Sequence, residues 1–203
     1  MGNAKEEEPV EEEPGWAPPS GLIRLTVSDA RAAAQQAGIK ASLEDQPIWH
    51  ALLVRPDVAS SIYRLVTAQL FNNRLSPRLR ELAIMRIAWV TGSSFEWTQH
   101  WHLAQRIGIP ADLIRATRNW SASSLFDARD RCVLAAADEI SAIGAVSKAT
   151  WKRMAQLLED DECIDLTLVL VTWSFASAIL RSFDVPLPDS MRPWPPDGRS
   201  PGD

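Results

Sequence analysis

Apolar positions along this chain recur at intervals of three and four residues, so the pattern predicts helices throughout and no sustained strand. Start and stop signals divide the pattern into segments. Ser28-Asp29 opens an Ala-rich stretch closed by Gly38, and Pro47 starts a short helix through Trp49 and Leu53 that ends before Pro56. Asp57 leads VASSIYRLVTAQLF, which Asn72-Asn73 terminates. Ser76-Pro77 joins an N-cap to a proline at the first helical position, and RLRELAIMRIAWV continues to Gly92. Ser93 or Ser94 caps FEWTQHWHLAQRI, which stops at Gly108, and Pro110 starts another short helix. Asp127 to Ile143, Lys148 to Leu158 and Ile164 to Phe183 complete an all-α compact bundle of about eight helices, joined by loops short enough for antiparallel neighbours.

One helix differs from the rest. From Leu82 to Val90 only Arg86 is charged, and a helix apolar on every side belongs at the centre of a fold. Glu81 and Arg86 are therefore charges on a helix predicted to be buried, where charges need partners or a purpose. Arg86 reads as part of an internal salt-bridge network.

Composition narrows the class. The chain has 203 residues, 46% hydrophobic and 23% charged, which suits one sizeable domain. Its net charge of −5 resides in the leader, where Lys5 alone faces Glu6, Glu7, Glu8, Glu11, Glu12 and Glu13. From Trp16 onward the charges balance, which removes the general electrostatic reason to bind nucleic acid or an anionic membrane. Both ends are rich in Pro and polar residues. They divide the chain into a disordered acidic leader (1–20), one helical domain (21–185) and a disordered Pro-rich tail (186–203). The apolar stretch Leu166 to Leu180 is interrupted by Thr167, Thr172, Ser174 and Ser177, so it reads as too short and too polar to span a bilayer. With an acidic N-terminus in place of a signal peptide, a cytoplasmic location is expected.

Candidate chemistry gathers at one helix start. Cys132 and Cys163 stand apart without a CxxC, each in an apolar run, and read as small core residues. Glu96 and His100 are four residues apart, so they share a helix face and are expected to hydrogen-bond, fixing the ring's tautomer for proton transfer. The helix start at Ser93, Ser94 and Phe95 offers unpaired N–H groups to a substrate carboxylate. His102 points about 200° from His100, which argues against a metal site; no metal is expected. His50 and the Trp97/Trp101 pair read as packing residues. No GxSxG, P-loop, GxGxxG or HExxH occurs.

The run LSPRLRELAIMRIAWVTGSSFEWTQHWHLAQRIGIPADLIRA, residues 75 to 116, resembles the core of the carboxymuconolactone decarboxylase and alkyl hydroperoxidase D-like superfamily. DARDRCVLAAADEI, WKRMAQLL and LVLVTWSFASAILRSFDVPL are similar to its C-terminal portion, so the resemblance covers roughly residues 45 to 188. It implies an alkyl hydroperoxidase D-like helical subunit in a homo-oligomer, commonly a trimer or hexamer, and cofactor-free chemistry. The peroxidase branch carries Cys-x-x-Cys-x-x-x-His preceded by a glutamate; here those positions hold Ser93, Glu96, His100 and Glu81, so both sulfurs are missing. The decarboxylase branch has a glutamate followed four residues later by histidine, matched by Glu96 and His100, and often a histidine where this chain has Phe95.

The resemblance thus implies decarboxylation, or a related isomerisation or lactone opening, of a small organic acid or lactone. His100 would be the proton donor, Glu96 would orient and charge it, and Glu81 would act through water or as a second carboxylate. Ser93 and Ser94 would hold the substrate's carboxylate or lactone oxygen, with Phe95 and Trp97 walling the pocket. The competing readings are a hydroperoxide-reducing antioxidant protein, which needs a redox thiol, and a non-catalytic helical oligomer.

Overall fold

The computed structural model describes Pro19, residues 21–40 and residues 46–203; most of the expected acidic leader lies outside them. Among the described residues there are nine α-helices and no strand. They are α1 (Val27–Ala37), α2 (Pro47–Leu52), α3 (Pro56–Phe71), α4 (Pro77–Thr91), α5 (Ser94–Arg106), α6 (Ala111–Ala116), α7 (Ala128–Ile143), α8 (Lys148–Leu157) and α9 (Asp160–Ser182). A 3₁₀ segment, Thr117–Ala122, follows α6. The single domain expected over 21–185 separates into two compact units, with the division inside α3 between Arg64 and Leu65.

The first unit contains α1, α2 and the start of α3. Thr26 caps α1 by accepting from the Asp29 N–H at 3.2 Å, and Gly38 closes it in the left-handed conformation (φ 69°) that glycine adopts without penalty. Ser60 Oγ donates to the Ala37 carbonyl at 2.9 Å, and Trp49 meets Tyr63 edge-on with ring centroids 6.1 Å apart. His50 is buried on α2, as a packing residue would be.

In the second unit α4 is central, as its all-round apolar pattern predicts. It packs against α9, α7 and α5, and every residue from Glu81 to Ala88 except Arg86 is buried. Leu79, Ala83, Ile84 and Ile87 join the core shared with α7, α8 and α9; Leu82, Met85 and Ala88 join a second core with α5, α6 and Trp97. Arg86 Nε donates to Asp138 at 2.5 Å and Nη1 to the carbonyls of Thr117 and Arg118 at 2.9 and 2.8 Å, which satisfies it within the fold.

Two boundaries differ from expectation. α9 begins at Asp160 rather than Ile164, because Glu159 and Glu162 form a capping box at its start. The helix therefore has 23 residues and, by length and composition alone, is long enough to cross a membrane; its Cys163, Leu166, Val169, Leu170 and Trp173 lie instead in the core. The Pro-rich tail, expected to be disordered, is docked on the helices. Trp194 inserts beside Trp89 and Trp97, the Pro195 carbonyl accepts from Trp97 Nε1 at 2.8 Å, and Asp197 pairs with Arg118 at 2.8 Å. Composition sees the prolines; it does not weigh one indole that finds an aromatic cleft, nor the lower chain entropy that proline has to lose.

Candidate functional site

Helices α4, α5 and α9 bring the site together. Ser76 accepts from the Leu79 N–H at 3.3 Å and starts α4, which carries Glu81 into the interior with no exposed surface. Gly92, in the left-handed conformation (φ 70°), ends α4 and turns the chain directly into α5. That tight connection brings His100 beside Glu81, with Ser93 and Glu96 toward the start of the same helix.

His100 is held at both nitrogens. Nδ1 lies 2.7 Å from Glu81 Oε2, and Trp173 on α9 donates its indole N–H to Nε2 at 3.0 Å. An indole nitrogen can only donate, so Nε2 must offer its lone pair and the proton must sit on Nδ1, directed at Glu81. The ring is thus the neutral Nδ1–H tautomer. The other oxygen of Glu81 accepts from Arg80 Nε at 3.2 Å, and Arg80 Nη1 in turn donates to the Leu70 carbonyl at 2.7 Å. Burial pushes the Glu81 carboxyl up, but the His100 and Arg80 donors outweigh it and hold the group below its ordinary value.

Glu96 lives differently, though it is on the same helix as His100. Its Oε2 bonds to the Ser177 hydroxyl of α9, and Ser177 lies 3.0 Å from the Thr91 hydroxyl, which donates to the Ile87 carbonyl at 2.7 Å. Burial pushes the Glu96 carboxyl up to about 7; Ser177, His100 and Ser93 pull it down only in part. Ser177 donates to Glu96 and accepts from Thr91, so a run of hydroxyls ends on the carboxyl. Its second oxygen, Oε1, is buried without a hydrogen-bond partner, and so is the Ser93 hydroxyl, which is close enough to influence Glu96 but poorly aimed for a bond. Ser93 occupies the N-cap position of α5 without capping it through its side chain, so the first N–H groups of the helix are not satisfied by that hydroxyl.

The expected bond between Glu96 and His100 is not made. Sharing a helix face brings two side chains near one another, but each here finds a partner on a neighbouring helix, Glu81 on α4 for the imidazole and Ser177 on α9 for the carboxyl. Glu81, expected to act through water or as a second carboxylate, is the group that orients His100. Trp97, expected to wall a pocket, is wholly buried instead, with Trp89, Trp101 and Trp194 centroids 5.1, 6.1 and 6.2 Å away and Arg118 stacked on it at 4.8 Å. One position along the helix turns it about 100° from Glu96 and into the core. Ser94 and Phe95 are half-buried at the start of α5, and His102 is exposed.

Trp173, Ser177, Arg80 and Thr91 complete the site, and the sequence reading did not assign them to it. The one signal available was the spacing of Trp173 and Ser177, four residues apart on one face of an apolar helix. Among the described residues no three His, Cys, Asp or Glu side chains gather as a metal site would require. Cys132 and Cys163 are buried in the core with α4, and burial pushes both thiols up.

The arrangement of helices is shared with solved structures. The debrominase Bmp8, solved alone and as a cysteine-to-alanine variant with 2,3,4-tribromopyrrole, is 17% identical; the variant matches 84% of this chain and 92% of its own length with a TM-score of 0.68. A peroxidase-related protein from Silicibacter sp. TM1040 is 14% identical over 98% of this chain and all of its own, with a TM-score of 0.63. The alkylhydroperoxidase AhpD core of a peroxidase-related protein from Ralstonia eutropha JMP134 is 13% identical over 80% of this chain and 86% of its own, with a TM-score of 0.60. No curated protein sequence matches the chain. The fold is therefore that of an alkyl hydroperoxidase D-like helical protein. Residues 56–139, which contain α4, α5 and three of the site's titrating groups, match the Carboxymuconolactone decarboxylase family. Over that segment the chain is similar to the Carboxymuconolactone decarboxylase family, and in its helical arrangement it is similar to the alkylhydroperoxidase AhpD core.

Proposed function

We propose that this protein is a cofactor-free proton-transfer enzyme that decarboxylates, or isomerises, a small organic acid or lactone. The observation that carries the reading is the presence on one helix of an imidazole held by Glu81 and Trp173 and a buried carboxyl pushed up to about 7 by burial. Groups with pKa values near the working pH are the ones that both hold and release a proton efficiently.

When the bond to a substrate carboxylate breaks, its electron pair moves into the conjugated carbonyl as CO₂ departs. The oxygen of the resulting enolate takes up the negative charge, and the α5 start supplies the N–H groups of Ser94 and Phe95 to stabilise it, the Ser93 N–H being bonded to the Ala88 carbonyl at 2.9 Å. Glu96 then gives its proton to carbon and recovers one from solvent. This assigns to Glu96 the donor role expected of His100, because His100 has no free N–H: one nitrogen is committed to Glu81 and the other accepts from Trp173. His100 serves as the base for isomerisation once a substrate proton replaces the Trp173 contact. A dithiol peroxidase reaction has no support in these residues, since Ser93 and Glu96 stand where the sulfurs would be and both cysteines of the chain are buried thiols.

The test is turnover of carboxymuconolactone in D₂O, followed by CO₂ release and by mass spectrometry of the product. One deuterium on carbon is expected, with the rate falling about a hundredfold or more in Glu96→Gln. Equal rates in the wild type, Glu96→Gln and His100→Gln across a panel of lactone and enone acids would remove the proposal.

A further inference from the structure

We infer that the C-terminal segment Trp194–Asp197 is a clasp that sets the rotation of α5 about its own axis and so positions His100 against Glu81. Glu96 and His100 lie about 40° apart around α5, whereas Trp97 and Thr98 lie about 100° and 200° from Glu96, on the flank and back of the helix. The segment grips both. The Pro195 carbonyl accepts from Trp97 Nε1 at 2.8 Å, and the Trp194 N–H donates to Thr98 Oγ1 at 3.3 Å. Trp97 and Thr98 have no exposed surface. The Trp194 indole also packs on Trp89 and Trp97, with centroids 5.7 and 6.2 Å away. Trp89 stands on α4, about 80° around that helix from Glu81. One segment therefore spans the two helices whose side chains meet in the 2.7 Å contact between Glu81 and His100.

Arg118 completes the clasp. Its guanidinium lies over the rings of Trp89 and Trp97 at 4.7 and 4.8 Å, Nη2 donates to the Pro195 carbonyl at 2.9 Å and Nη1 to Asp197 at 2.8 Å, while Nε is buried without a hydrogen-bond partner. With the segment away, this largely buried cation would keep its aromatic faces and lose both of those bonds. The Arg118 carbonyl accepts from Arg86 of α4 at 2.8 Å, which ties the same cluster to the central helix. The backbone adds an independent sign. Trp194 holds φ at 57°, the left-handed conformation that is unfavourable for a bulky residue and persists only where its surroundings over-determine it. A helix side chain reaches about 5–6 Å from the axis, so a turn of α5 by about 10° carries the imidazole about 1 Å. A shift of that size breaks a 2.7 Å bond while leaving the helix itself intact.

Proton and nitrogen-15 NMR of the full chain tests this without any substrate, so its outcome is independent of the proposed reaction. The Trp97 indole proton reports whether the segment is seated, and the His100 Nδ1 proton reports the contact with Glu81. In the double variant Trp194→Ala/Asp197→Ala the Trp97 proton is expected to lose its hydrogen-bonded shift, and solvent exchange of the His100 proton to speed up at least about tenfold. Trp194→Phe, which keeps a ring in the cleft, should stay close to the wild type in both signals. Met154→Ala opens a cavity on α8 in the other core and serves as the control: it lowers stability and leaves the His100 signal as it was. Unchanged His100 exchange with Trp97 released would overturn the inference, because the segment would then be seated without positioning anything. A Trp97 proton unmoved in the double variant would overturn it by showing that Trp194 and Asp197 do not hold the segment. Equal acceleration in Met154→Ala would overturn it in favour of a general loss of stability.

Discussion

Trp173 and His100 are joined by a 3.0 Å hydrogen bond from indole N–H to imidazole Nε2, although 73 residues separate them in sequence. Because the donor cannot also accept, this contact dictates the protonation pattern of the whole row from Trp173 through His100 to Glu81. The site at rest is therefore capped on its imidazole side.

Replacing Trp173 by Phe keeps an aromatic ring and deletes the donor. Nitrogen-15 NMR of the wild type should show His100 protonated at Nδ1 only, and the variant should show a mixture of tautomers. Loss of the larger ring from a residue 3% exposed is expected to cost about 1–3 kcal/mol of stability, read by urea denaturation. A variant with the wild-type tautomer would mean that Glu81 alone sets it.

Glu96 makes stability fall as pH rises. Its carboxyl is raised from 4.5 to about 7 in the folded protein, so the native state holds this proton more tightly than the unfolded chain does. The resulting stabilisation is complete below pH 4.5, declines between 4.5 and 7, and is gone above 7; its size is about 3 kcal/mol. Glu96→Gln, a neutral mimic of the acid, should flatten the dependence across that window when denaturation midpoints are compared at pH 5 and pH 8.

Glu81 acts with the opposite sign and in a different window. Its carboxyl is held below 4.5 by His100 and Arg80, so the stability it contributes is present above that pH and is lost as pH falls through the lower folded value. Glu81→Gln weakens both partners inside the core and should cost about 3 kcal/mol at neutral pH. The variant should also lose the part of wild-type acid sensitivity that belongs to this group, as thermal melts at pH 3 and pH 6 would reveal.

The tail offers a test remote from the chemistry. Trp194→Ala removes an indole packed on Trp89 and Trp97, and a loss of about 1–3 kcal/mol is expected. Arg118→Ala, which gives up two stacking contacts and the Asp197 pair, should destabilise in the same direction. The two variants should be less than additive, because the groups share one cluster.

How far the sequence could be read follows from the range of each signal. The centrality of α4 was legible because a helix apolar on every side has one place to go. That Glu81, Glu96 and His100 stand on two successive helices is legible in the sequence. The wiring of the site is not. Spacing says that Glu96 and His100 share a face, but nothing local says that Glu81 and Ser177 stand closer, and Ser177 lies 81 residues from Glu96. The docking of the tail lies beyond sequence reasoning for a related reason: prolines are counted by composition, whereas Trp194 matters only once the cleft between α4 and α5 exists. The early start of α9 could have been foreseen, since the Glu159 and Glu162 spacing is itself a capping signal.

The indoles of Trp89, Trp97, Trp101 and Trp194 lie with neighbouring ring centroids between 5.1 and 6.2 Å apart. At that separation their electronic transitions mix, and the near-ultraviolet circular dichroism of the protein should carry a paired positive and negative band. Departure of Trp194 would break up that band without touching the far-ultraviolet helical signal. The chain thus contains a built-in optical gauge of whether its C-terminal segment is seated, readable without any added label.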